Sequence, residues 1–300
     1  MYQYSLIDIS TIKENLKEYC LDTTIIDSIN ELTSSLNLQI IKPKPYKKEK
    51  QIFDDHGKWA KREIFKTTKL EKKEGIDEKL DIFRGILNKM VSNNYEEIKD
   101  QLMEILSVIL NSNDDNCNHE KVLQCFYLVI VNNSIYSKLY AKLYSTMMEE
   151  HVVFEENVSG FIEKYNELFK NIRYVDPDED YDSYCVINKE NIQRKALLKF
   201  IVNSVELEIY SFNEILIIIT SLFETLYNNL QEKDNLFINE EIIENIFTIL
   251  QEGKDLITKE VCKYDIIEKI KYYSSLKVSE YQGFSSRMKF KMMDLLDVYK

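Results

Sequence analysis

The sequence predicts an all-α protein made of paired helices, and three observations carry that expectation. Only six Gly and three Pro occur in 300 residues, and the prolines (Pro43, Pro45, Pro177) stand at two places. Little of the chain is therefore interrupted by residues that end helices. Apolar residues make up 44%, and from residue 76 onward they recur at three- and four-residue steps, the spacing that gathers them on one helical face. The segments with this pattern come in twos. Their starts fall near residues 77, 119, 155, 191 and 239, at intervals of 42, 36, 36 and 48 residues.

Residues 1–41 form a helical N-terminal extension with two amphipathic patterns. The first is Ile9, Ile12, Leu16 and Tyr19, and the second is Ile25, Ile26, Ile29, Leu32 and Leu36. Residues 42–75 are a basic linker or arm. Pro43 and Pro45 block a helix interior there, and residues 42–73 hold twelve Lys or Arg against five Asp or Glu, a local net charge of +7. Trp59, the only tryptophan, sits beside Lys58, Lys61 and Arg62. It reads either as an anchor onto a neighbouring surface or as part of a peripheral core.

The remainder, 76–300, carries the pairs. Asp77 is the expected cap of a helix running to Met90, with Leu80, Phe83, Leu87 and Met90 on one face; its partner is 95–110. Segments 119–131 and 134–148 make the second pair. The third opens near Glu155, with Phe161, Tyr165, Leu168, Phe169 and Ile172 on its stripe, and an acidic loop at 176–182 separates it from 188–208. Segment 211–230 packs against 188–208. The last pair is 239–256, ended by Gly253, and the stretch from Tyr264 through a closing helix at 284–299. In that helix Ser285 or Ser286 can cap the first turn, and Met288, Met292, Leu295, Leu296 and Tyr299 share a stripe. A two-helix unit with a period near 40 is in the range of HEAT-type repeats. One such pair cannot bury its apolar face alone, so the expectation is a stacked α-α superhelical solenoid of about five pairs.

Several function classes are excluded on chemistry. The net charge of −12 argues against indiscriminate nucleic-acid binding. Five cysteines, Cys20, Cys117, Cys125, Cys185 and Cys262, are dispersed without a CxxC pair, which suits free thiols in a reducing compartment. The N-terminus lacks the basic region and apolar core of a signal peptide. The most apolar run, 215–219, is far short of the roughly 20 residues a membrane span needs. A soluble cytoplasmic protein with no membrane association is expected. No phosphate-cradling glycine motif is present. His56, His119 and His151 are widely separated, so neither a metal site nor a nucleophilic site is expected. Asp176, Asp178, Asp180 and Asp182 alternate like the start of a calcium loop, but Tyr181 stands where Gly is required and Ile187 where the bidentate Glu belongs. The run reads as a solvated acidic loop. No cofactor and no enzymatic activity are expected.

Five runs bring a family into view. FRGILNKM (83–90), IYSKLYAKLY (135–144), QRKALLKFIVNSVELEIYS (193–211), NEEIIENIFTILQEGKDL (239–256) and FSSRMKF (284–290) resemble, in order, blocks of the middle domain of eukaryotic translation initiation factor 4G. The resemblance covers 76–300. It implies a HEAT-repeat scaffold that grips a DEAD-box RNA helicase of the factor 4A type. By touching both helicase lobes it would hold them in an active arrangement and help recruit mRNA and the ribosome. On the same resemblance Trp59, Tyr136, Lys254, Asp255 and Arg287 are the candidate helicase contacts, with core packing open for Tyr136 and plain surface charge for the last three. Lys47, Lys48, Lys50, Lys61 and Arg62 are the candidate RNA-contacting arm, with simple solvation equally open. A cap-binding-protein motif is degenerate here, with Tyr4 followed by Ile9 and Ser10. The alternative is a scaffold of the same fold for another DEAD-box helicase, in splicing, mRNA decay or ribosome biogenesis. A HEAT adaptor in transport or signalling is a third reading. Richness in Asn, Ile, Lys and Tyr suits an AT-rich genome, such as that of a large DNA virus.

Overall fold

The computed structural model describes residues 22–35, 74–111 and 115–299. The chain divides into two compact units, Met1–Lys69 and Leu70–Lys300. Regular structure among the described residues is helical throughout, in agreement with the all-α expectation. In the first unit one helix is described, α1 (Thr23–Ser35). The Asp22 carboxylate accepts hydrogen bonds from Thr24 N and Thr24 Oγ1, which satisfies an orphan donor of the first turn and holds the carboxyl below its ordinary range. Ile25, Ile26 and Ile29, from the expected apolar stripe, are all exposed. Tyr4, Ile9, Ser10, Lys47, Lys48, Lys50, Trp59, Lys61 and Arg62 lie outside the described residues.

The second unit carries α2 (Ile76–Leu87), α3 (Tyr95–Leu110), α4 (Asp115–Asn132) and α5 (Ser137–Glu150). The short α6 (Val152–Glu156) follows, then α7 (Ser159–Lys170), α8 (Tyr181–Val205), α9 (Phe212–Asn229) and α10 (Leu236–Glu252). A single turn, α11 (Lys254–Ile257), leads to α12 (Lys263–Ser275) and α13 (Ser286–Val298). Chain neighbours pack as hairpins, α2 on α3, α7 on α8, α9 on α10 and α12 on α13. Segment 211–230 therefore pairs mainly with α10 and not, as expected, with 188–208, and 188–208 and 239–256 become second helices of their pairs. The second helices of successive pairs also pack on one another, α5 on α8, α8 on α10 and α10 on α13. The 25-residue α8 is the hub, because it also receives α4 and α7.

Side-chain bonds between successive pairs recur at a nearly constant sequence separation. Cys125 to Leu80 O spans 45 residues, Lys142 to Glu96 46 and Lys164 to Gln124 40. Arg194 to Glu241 spans 47, Asn203 to Glu252 49 and Arg287 to Glu240 47. The interruption lies in the middle, where Asn203 reaches Ser137 across 66 residues. There α6, the 171–180 connection and the extra turns of α8 intervene.

One continuous apolar core runs from Leu80 to Leu295. Its aromatic centre brings Phe161 within 5.3 Å of Tyr144 and 5.1 Å of Phe200, centroid to centroid, distances at which edge-on and tilted rings attract. Four tyrosine hydroxyls donate across element boundaries to backbone carbonyls: Tyr144 to Phe154 (2.8 Å), Tyr210 to Val158 (2.6 Å), Tyr273 to Phe223 (3.2 Å) and Tyr299 to Leu250 (2.7 Å).

Several local expectations change. Asp77 is not the cap of α2, which Gly75 precedes at φ 69°; Asp77 lies inside the first turn, where its charge favours the helix dipole. That helix stops at Leu87 rather than Met90, because Asn94 folds over the turn, accepting from Val91 N and donating to Lys89 O. α8 begins seven residues before the expected 188. Asp180 caps it by accepting from Ser183 N at 3.0 Å, and its first turns expose Tyr181 and Val186, so they carry no apolar period. The acidic loop is thus partly structural: Asp176 accepts from Asp178 N and Asp180 is a cap. Other ends follow the sequence. Ser211 and Glu214 make a reciprocal capping box on α9, Gly253 closes α10, and Ser285 rather than Ser286 caps α13 by accepting from Met288 N.

Candidate functional site

The second helices α8, α10 and α13 carry a seam of opposite charges. The acidic face of α10 follows from spacing, since Glu240, Glu241 and Glu244 fall within one turn of each other and Glu252 lies two turns on. Cations from both sides meet it. From α8, Arg194 reaches Glu241 at 3.4 Å, Lys195 reaches Glu241 at 3.5 Å and Lys199 reaches Glu252 at 4.0 Å. From α13, Arg287 reaches Glu244 at 2.9 Å and Glu240 at 3.4 Å, and Lys291 also pairs with Glu244. Ser285 Oγ donates to Glu240 at 2.7 Å, so the cap residue of α13 is itself tied to α10.

Burial grades this seam. Arg194 is 1% exposed and Arg287 65%. Arg194 spends its donors inside, on Leu168 O at 3.0 Å and Asn191 Oδ1 at 2.8 Å. Burial lowers its pKa and raises that of Glu241, while Arg194 and Lys195 oppose the rise. Glu244 behaves differently one turn away. Burial pushes it up, but its hydrogen bond with Lys291 and the charges of Lys291, Lys195 and Arg287 prevail and hold it below the ordinary glutamate range. Beside the seam lies a groove of about 610 Å³ bordered by Tyr174, Ile192, Lys195, Phe237 and Arg287. Tyr174, from the loop before α8, stacks on Phe237, from the first turn of α10, at 3.8 Å between centroids. Both rings and Ile192 are exposed. The arrangement offers a contact surface of flat apolar rings beside an outward arginine, chemistry typical of protein interfaces.

The candidate residues from the sequence separate in space. Arg287 belongs to the seam. Lys254 and Asp255 are exposed on α11, beyond the Gly253 end of α10 and ten residues after Glu244. Lys289, two residues beyond Arg287, donates to Leu276 O at 2.9 Å. Tyr136 is half-buried, packed on the core, and meets Tyr140 edge-on at 6.4 Å; its neighbour Ile135 is the exposed one, at 88%. Sequence reasoning missed the Tyr174–Phe237 stack and the pairing role of Glu240 and Glu244. The acid spacing on 239–256 was a visible signal, whereas the stack joins residues 63 positions apart and left none.

No group of three or more His, Cys, Asp or Glu among the described residues is arranged to hold a metal ion. Cys125, Cys185 and Cys262 are free thiols. No helix of the described residues is long and apolar enough to cross a membrane. No protein-family model matches the chain, and no curated protein sequence matches it either.

Proposed function

We propose that the Leu70–Lys300 unit is a HEAT-type helical-repeat scaffold like the middle domain of translation initiation factor 4G, and that it binds a DEAD-box RNA helicase of the factor 4A type. The observation that supports this reading best is the recurrence of bonds between successive pairs at separations of 40 to 49 residues, which agrees with the repeat length that the five sequence blocks imply. A continuous core joining the pairs supplies the stiffness a scaffold needs. Stiffness matters because a scaffold accelerates a two-lobed helicase only by binding one lobe arrangement more tightly than the others. In this reading the protein adds no catalytic group of its own and acts in the cytoplasm on mRNA recruitment.

The exposed Arg287 with Tyr174 and Phe237 forms the contact for one lobe. Lys254 and Asp255 serve a separate contact at the far end of α10. Tyr136 positions its turn for Ile135, while Trp59 supplies an anchor ahead of the repeats. Lys47, Lys48, Lys50, Lys61 and Arg62 contact RNA phosphates, which makes RNA binding salt-dependent. A cap-binding protein is the remaining candidate partner, through the degenerate motif at Tyr4.

The decisive experiment mixes the purified full chain with a factor 4A-type helicase and measures RNA-dependent ATP hydrolysis alongside affinity capture. Stimulation is expected, with Trp59→Ala and Arg287→Ala each weakening the complex. No bound DEAD-box protein and no stimulation would sink the reading. Capture of a splicing or decay helicase instead would keep the scaffold and move it to a different process.

A further inference from the structure

A second surface lies on the first helices of the last two pairs, away from the charged seam. Phe223 and Tyr227 of α9 and Tyr272 and Tyr273 of α12 border a groove of about 850 Å³. Phe223 and Tyr273 are buried and make its floor, their rings 5.7 Å apart. Tyr227 and Tyr272 stand exposed at its walls. Glu224, Asp265 and Glu268 border the same groove. All three are exposed, and none enters an ion pair among the described residues. One cation of the chain is present: Lys269 Nζ lies 5.5 Å over the Phe223 ring, so the floor already holds an ammonium by the attraction of an aromatic face.

We infer that this groove docks a basic amphipathic helix of a partner protein. The aromatic floor and walls match an apolar helical stripe, and the three unpaired carboxylates match Lys or Arg flanking it at three- and four-residue spacing. The acids already stand unpaired at the rim, so approach of a cationic helix breaks no bond within the chain, and the field steers it in. The α12 wall from Asp265 to Tyr273 is nine residues long, about 12 Å, room for two turns of a docked helix. The same acids repel RNA and anionic lipid. The inference stands apart from helicase binding, which uses other helices and opposite surface chemistry.

The test uses the full chain and two labelled synthetic helices, one alternating Lys-Lys with Leu-Leu and the other with Glu in place of Lys. Fluorescence anisotropy is expected to show salt-sensitive binding of the lysine helix and none of the glutamate helix. Glu224→Lys with Glu268→Lys should weaken binding at least about tenfold, as reversal of facing charges does. Tyr227→Ala, at an exposed position that the fold does not need, should weaken it as well. Glu97→Lys with Glu104→Lys, at exposed acids on α3, changes net charge equally and should leave binding near wild type. Equal loss in both charge-reversal pairs would reduce the effect to overall charge and overturn the site. Binding of the glutamate helix, or unaltered affinity in the groove variants, would do the same. Sedimentation showing a dimer that the groove variants dissociate would assign the surface to a second copy of the chain instead.

Discussion

The seam on α10 and the groove between α9 and α12 are both acidic, yet they treat their carboxylates in opposite ways. On α10 each of Glu240, Glu241, Glu244 and Glu252 meets a Lys or Arg from a neighbouring helix. In the groove, Glu224, Asp265 and Glu268 share a lining with aromatic rings and enter no ion pair among the described residues. Paired charge between helices fixes how the pairs sit on each other. Unpaired charge beside apolar surface remains available to another molecule. The location of acids thus says less about binding than whether the chain neutralises them itself.

Arg194→Met disrupts the seam most severely. It leaves Glu241 largely buried with Lys195 as its remaining cation and Asn245 as a neutral donor, and loss of one member of a buried pair costs about 3–5 kcal/mol. Urea denaturation should show that loss with an unchanged slope. In the groove floor Tyr273→Phe removes only the hydroxyl bonded to Phe223 O, so about 1 kcal/mol is expected, with little change in the exposed walls. Stability against pH sharpens the contrast within the seam. Glu241 titrates above the ordinary glutamate value of 4.5, so the folded state holds its proton longer than the unfolded chain and loses stability as pH rises through that range. Glu244 titrates below it, so its contribution is present above pH 4.5 and is lost on further acidification. Glu241→Gln should flatten the fall above pH 4.5, and Glu244→Gln the fall below it. A profile unaltered by either change would refute the assignment. The smallest effect belongs to Arg287→Ala. The side chain is 65% exposed and its pairs are screened by solvent, so less than about 1 kcal/mol is expected, measured as a slight decrease in the denaturation midpoint.

Helix identity was readable wherever one face is buried. Leu80, Phe83 and Leu87 on α2 and Met288, Met292 and Leu295 on α13 are in the core as their spacing required. The period failed where helix and core part company. The first turns of α8 project beyond the apolar body, so only the Asp180 cap marks their start. Partners were harder still. Arg287 was visible as a surface charge, but its carboxylates sit 43 and 47 residues back, and charge on a helix surface does not announce its partner. The groove was invisible for the same reason. Tyr227 and Tyr272 look like ordinary surface tyrosines until α9 and α12 are side by side.

The four tyrosine hydroxyls that reach backbone carbonyls bear on how the unit would come apart under load. Two of them, from Tyr273 and Tyr299, fasten the final pair to α9 and α10, and Tyr210 fastens the turn before α9 to the start of α7. Tension drawn through the C-terminal end meets the Tyr299 latch before it reaches α10. The final pair should therefore be the first to part from the rest, with the Tyr299 and Tyr273 hydroxyls releasing their carbonyls as it leaves α10 and α9.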